Sequence, residues 1–217
     1  MNNKIANIIK GYVEDLTWID KISGLVQTVV VMVPSGKDTA VQKSYPVSCN
    51  ITADACKKGG YQDLCPDSKK KSVVYFEDRG IQEVSRYGNR ITFKSNLRLV
   101  AWLNLCLISD SCGTSGDYVI DVIRSLPNRP FSVPGFVNIS IALITQAERD
   151  VSIFSKYTYS ETMVQYLLYP FDFFALDISI DFTIPCVDAG SLLHPTGSVD
   201  VDSTTVSVDD PLVAVDD

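Results

Sequence analysis

The sequence predicts an α+β fold: a largely antiparallel twisted β-sheet with an N-terminal amphipathic helix and one further helix packed on it, plus an extended C-terminal tail. Three observations lead there. Apolar residues recur at helical spacing over 5–16. Several later stretches alternate apolar and polar residues at the period of a strand. A second helical pattern at 115–126 interrupts those strands, and helices placed at intervals along a run of strands define an α+β domain.

In the first element, Ile5, Ile8, Ile9, Tyr12, Val13 and Leu16 form one apolar helical face. Asn2 or Asn3 is the expected cap. Trp18, Ile19 and Ile22 prolong the apolar surface. Residues 25–33, LVQTVVVMV, are an almost unbroken β-branched run, which predicts a central strand buried on both faces. Residues 34–38 read as a turn. Val41, Lys43, Tyr45, Val47, Cys49 and Ile51 then alternate with Gln42, Ser44 and Ser48, a half-buried strand that closes a hairpin. The stretch 52–71, with five Lys and two Cys, breaks the pattern and is expected to be an exposed, projecting loop.

Strands resume at 72–77 and 90–108, with a turn at Gly88-Asn89 before the second. Ile91, Phe93, Leu97, Leu99, Leu103, Leu105 and Leu107 share one face, with Ser95 and Ala101 as its small members. Thr92, Lys94, Asn96, Arg98 and Asn104 share the other. A strand of that length would extend about 60 Å, so a bulge, bend or break is expected. Ser115 is placed to cap the second helix, whose apolar face is Tyr118, Val119, Val122, Ile123 and Leu126. Pro127 and Pro130 stop it. Val137, Ile139, Ile141, Leu143 and Thr145 mark another strand. The last strand, 173–184, is the clearest. Phe174, Leu176, Ile178, Ile180, Phe182 and Ile184 point one way, and Asp177, Ser179, Asp181 and Thr183 the other. A slip of one residue would bury both aspartates, so the register is set.

The length of 217 residues suits a single domain over 1–197 followed by an acidic tail over 198–217. The net charge of −7 is uneven, because the tail holds six aspartates and no base. The rest is nearly neutral, which excludes a basic nucleic-acid footprint at the level of net charge. The tail cannot bury enough apolar surface to order alone. Its valines (Val199, Val201, Val206, Val208, Val213, Val215) and Leu212 still suit a strand added to a neighbour's sheet edge. An interface between copies is expected to join Lys57, Lys58, Lys69, Lys70 and Lys71 of the loop to Asp200, Asp202, Asp209 and Asp210 of the tail. The N-terminus lacks the apolar run of a secretion signal, and no stretch approaches the ~18 apolar residues of a membrane span. The expectation is therefore synthesis in a cytosol, without membrane association and with the six cysteines mostly reduced.

Catalytic chemistry finds little footing. The single histidine, His194, lies at the entry to the tail, a poor place for a general base. Cys56 and Cys65 are too widely spaced for a zinc knuckle, as are Cys106 and Cys112 with their neighbours. Phosphate-loop patterns are absent. Asp177 and Asp181 share a face but sit about 13 Å apart along the strand, too far for an acid–base pair. No catalytic residue, cofactor or metal is expected.

The order of parts resembles that of bacteriophage tail terminator or tail-completion proteins. It runs from an amphipathic helix (5–16) through a hairpin (25–33 and 41–51) to a projecting loop (52–71). Long strands with one intervening helix (115–126) follow, and then a final strand (173–184, within YPFDFFALDISIDFTIP). The resemblance covers roughly residues 3–185 and is architectural. It implies a structural protein of the virion, not an enzyme. Copies would form a ring, a hexamer or a multiple of it, at the head-proximal end of the tail and touch other tail and neck proteins. DNA would pass through the lumen without specific binding, and Asp177 and Asp181 would line that lumen. A ring or adaptor protein of a short-tailed phage would share these features. A soluble enzyme or ligand-binding domain is the competing class, and a deep pocket holding titratable groups would favour it.

Overall fold

The computed structural model describes residues 1–34, 40–52, 60–109, 114–159 and 164–185, all within one unit, Met1–Cys186. The fold is α+β. Six strands form one mixed sheet in the order β2-β1-β3-β4-β6-β5. They are β1 (Lys21–Pro34), β2 (Ala40–Ser48), β3 (Ser72–Tyr87), β4 (Arg90–Asn104), β5 (Asn138–Ile144) and β6 (Phe171–Pro185). Every pairing is antiparallel except β1 with β3. Three helices complete it: α1 (Asn2–Val13), the single turn α2 (Leu105–Ile108) and α3 (Ser115–Ser125).

Alternation along the strands builds two cores, one on each face. Leu97, Leu99, Ala101 and Leu103 of β4 and Phe174, Leu176, Ile178, Ile180 and Phe182 of β6 meet Ile5, Ile9 and Val13 of α1 and Val119 and Val122 of α3. The opposite face carries Val73, Tyr75, Val100, Trp102, Phe173 and Ala175. It is covered by a strap, residues 150–159, that the sequence pattern does not reveal. The strap crosses the sheet from β6, where Phe154 packs on Phe173 (ring centroids 5.3 Å apart), over Tyr75 of β3, to β2, where the Thr158 N–H donates to the Ser44 carbonyl at 3.0 Å. Asp150 caps its first 3-10 turn, Val151–Phe154, by accepting from the Ser152 N–H.

Several expectations are corrected. The 25–33 run is buried only at its start: Val30 is 54% and Met32 61% exposed. The parallel β1–β3 pairing ends at Val26 and Glu77. Beyond that rung β1 continues with β2 alone and β3 with β4 alone, so the sheet forks into two arms. The third strand runs ten residues past Glu77 to Tyr87, and those residues are all exposed. With no layer covering the arm, neither side selects for apolar groups, so the segment shows no alternation. A bulge between Asp78 and Ile81 seats Gly80 at φ +99°, a backbone that favours glycine. The long 90–108 stretch breaks, as its length required, where β4 gives way to α2.

Neither expected helix cap acts as one. Met1 occupies the cap of α1, and the Asn2 amide turns inward, donating to Asp78 at 2.7 Å and accepting from the Ser95 hydroxyl at 2.9 Å. Asn2 lies on the buried face, where an amide must find partners. Ser115 is already helical. Its N–H donates to the Asp172 carboxylate of β6 at 2.8 Å, which places a negative charge at the positive end of α3. The 52–71 loop does not project throughout. Leu64 and Cys65 are buried in the second core, 3% and 1% exposed, and Tyr61 packs against Tyr45.

Leu176 sits at the centre of the helix-covered core and is fully buried. Leu176→Ala is expected to lower unfolding free energy by about 2–5 kcal/mol, read from the urea midpoint. A loss below about 1 kcal/mol would mean that the two helices do not clamp this face as described.

Candidate interaction face

Strand alternation puts Glu77 in line with Val73 and Tyr75, Arg98 in line with Val100 and Trp102, and Asp177 in line with Phe173 and Ala175. Register then sets Glu77 opposite Arg98, and Arg98 opposite Asp177. The result is a charged row across three strands, immediately after two apolar rows, at the point where the sheet forks.

Glu77 is the most deeply placed member, its side chain 3% exposed. The strap satisfies it. Lys156 Nζ donates to one carboxylate oxygen at 2.8 Å and the Tyr157 hydroxyl to the other at 2.8 Å. Arg79 stands 3.9 Å from Glu77 and 4.0 Å from Asp177. Arg98 forms a two-pronged pair with Asp177, its Nε and one Nη donating at 2.7 and 2.8 Å. Its other Nη lies 3.0 Å from Glu148. These hydrogen bonds hold the Asp177 carboxyl below its ordinary range and push the Arg98 guanidinium up. Burial raises the Tyr75, Tyr157 and Tyr159 phenols beside Glu77, and pushes the Cys65 thiol up to about 12.

Beyond this row the same face is polar and open. Gln82, Lys94, Asp181 and Ser140 form one cross-strand row, and Ser85, Thr92, Thr183 and Asn138 another. Side chains bond across it: Ser179 to Asn96 at 2.7 Å, and Thr92 to Thr183 at 3.1 Å. Lys94 Nζ lies 4.0 Å from Asp181. The ion pairs of this face join four bases (Arg79, Lys94, Arg98, Lys156) to four acids (Glu77, Glu148, Asp177, Asp181). Asp177 and Asp181 therefore do share one face; Asp177 is paired with Arg98, while the Asp181 Oδ1 has Lys94 at 4.0 Å and, among the described residues, no hydrogen bond.

Of the other expected interface residues, Lys57, Lys58, Asp200, Asp202, Asp209 and Asp210 lie outside the described residues, as do His194, Cys56, Cys112 and Cys186. Lys70 is not free for a partner: its Nζ bonds the carbonyls of Asp63 (2.7 Å) and Cys65 (3.1 Å), tying the loop to itself. Lys69 and Lys71 are exposed, and the Lys71 N–H donates to Asp20. Cys49, Cys65 and Cys106 are unpaired. Among the described residues, no group of His, Cys, Asp or Glu is arranged to hold a metal, and no helix is long and apolar enough to cross a membrane. Sequence reading missed Glu77, Arg79, Glu148, Lys156 and Tyr157. One signal was present: Glu77 follows Val73 and Tyr75 on a face of its strand that is apolar up to that point. No family model and no curated protein matches the chain.

Removing Lys156 leaves Glu77 buried with weakened compensation, whereas removing the charge of Glu77 frees Lys156 to water. Lys156→Met is therefore expected to cost about 3 kcal/mol, and Glu77→Gln, which keeps a partner for Tyr157, about 1 kcal/mol. Equal costs in chemical denaturation would contradict this arrangement.

Asp177 also makes a pH prediction. Its folded-state value lies below the ordinary 3.8. Its contribution is therefore present above that pH and lost as the pH falls through the folded value. Asp177→Asn should be less stable at neutral pH and lose less stability on acidification than the wild type. Parallel stability–pH curves for the two proteins would refute the pairing.

Proposed function

We propose that the chain is a structural component of a bacteriophage virion, a subunit of a homo-oligomeric ring at the head-proximal end of the tail. In this reading the ring joins the connector to the tail tube and leaves a lumen for DNA. The same features suit a ring or adaptor protein of a short-tailed phage. The role is mechanical, with no catalytic step, and the subunit is made in the cytoplasm of a host bacterium.

One observation carries the reading. Large apolar side chains are exposed at both edges of a single sheet: Val30, Met32 and Val41 on the β1–β2 arm, and Ile120, Ile123 and Leu143 around β5 and α3. Exposed apolar clusters mark interaction surfaces. Two different surfaces at opposite edges favour head-to-tail contacts, which give rings when the rotation between copies closes. The polar face supports the lumen assignment differently from the sequence expectation. Four of its bases lie against acids, and Arg90 at the far end of β4 is exposed, so duplex phosphates meet mainly hydroxyls, amides and paired charges.

Native mass spectrometry with negative-stain microscopy tests the reading. A closed annulus of six copies or a multiple is expected, and it should leave duplex DNA unshifted at about 0.15 M salt. Asp177→Asn combined with Asp181→Asn frees Lys94 and leaves Arg98 with Glu148 as its only acid, and should create DNA binding that weakens as salt rises. A protein that stays monomeric at high micromolar concentration, or a wild type that retains DNA, would count against the proposal.

A further inference from the structure

Each outer edge of the sheet is closed at one point and open beyond it. On β2, Thr158 takes the Ser44 carbonyl. Residues 40–43 have no strand beyond them among the described residues. On β5, the Phe131 N–H takes the Ile139 carbonyl at 3.0 Å. Residues 141–144 are likewise the outer edge. The two open stretches are equal in length.

They also match in direction and shape. Following the pairings across the sheet, β2 and β5 point the same way. A head-to-tail continuation of the sheet would therefore pair them in parallel. At the β5 edge a groove of about 340 Å³ is lined by Ile123, Leu126, Pro127, Ile141, Leu143 and Ile144. At the β2 edge Val41 is 43% exposed, and Met32 on β1 is 61% exposed on the opposite face of the same arm. One edge is thus an apolar projection and the other an apolar recess. Edge strands left open in this way are templates for another chain.

We infer that copies of this chain join edge to edge. Residues 40–43 of one copy lie along 141–144 of the next in a short parallel ladder, with Met32 packed into the α3–β5 groove and Val41 on the opposite face beside Leu143. A bulge between Ile141 and Leu143 limits the ladder to few hydrogen bonds, so the groove supplies most of the contact. A second copy is the occupant because both complementary halves are carried by one chain. The inference rests on the ring reading and names the contact that closes the ring.

Photo-crosslinking tests it. With p-benzoylphenylalanine at position 142, irradiation of the assembled protein should give covalent dimers and longer ladders, the link falling in the peptide that contains residues 40–43. A ring whose links fall elsewhere overturns this contact and leaves the ring reading standing. Absence of any assembly overturns both. Val41→Asp and Leu143→Asp provide a second readout, each checked by circular dichroism for retention of the fold. Each alone should be monomeric, and an equimolar mixture should stop at a heterodimer, because only one intact pair of edges remains. Dimerisation of either variant alone would mean that like edges pair, and would refute the head-to-tail contact.

Discussion

A buried carboxylate must be met by donors and countercharge, or its desolvation opposes folding. Glu77 receives both of its hydrogen bonds from the strap, through Lys156 and Tyr157. That constraint fixes where the strap crosses the sheet. The crossing in turn seats Phe154 on Phe173 and Tyr159 in the second core, and brings Thr158 to the edge of β2. Without this contact, Val100, Trp102 and their neighbours would lose part of their cover, and the sheet would have one finished face instead of two. The interaction matters less for its own free energy than for the apolar packing it positions.

Glu77 also marks the last rung between β1 and β3. On one side of it the sheet is continuous and covered on both faces. On the other, β1 and β3 part, and the ten residues of β3 past Glu77 are exposed to solvent. The ion pairs lie at this junction, where β1–β2 leaves β3 while β4, β6 and β5 remain paired. This division suits a subunit whose work is contact. Exposed apolar groups are found at both of its outer edges, Met32 and Val41 at one and Ile123 and Leu143 at the other. Along the polar face, cross-strand pairing of four bases with four acids supplies order and leaves little net charge around the fork, which limits both attraction and repulsion of a passing polyanion.

Legibility from sequence followed how local each cause was. The register of β6 was readable because Phe174, Ile178 and Phe182 alternate strictly with Asp177 and Asp181, and a strand with one apolar face needs no knowledge of its partners. The Ile5, Ile9 and Val13 face of α1 was readable for the same reason at helical period. The strap was not readable. Its aromatic residues sit on short 3-10 turns and irregular backbone, which impose no period, and its meaning lies in contacts with residues nearly eighty positions earlier. Asn2 and Ser115 misled through local rules: both are good capping types, but each has a distant partner, Ser95 and Asp78 for one and Asp172 for the other. Within the candidate face, Asp177, Asp181, Arg98 and Lys94 could be assigned to one side of their strands. That they neutralise one another across strands depends on pairing, which no single strand reveals.

Hydrogen–deuterium exchange of wild type and Glu77→Ala compares the strap with the rest of the fold most directly. If Glu77 is the anchor, amides of Ile153, Tyr157 and Thr158 lose protection in the variant, while those of α1 and of β4–β6 keep theirs. Unchanged strap protection, or an equal loss across every element, would contradict the view that this one buried carboxylate holds the second face of the sheet in place.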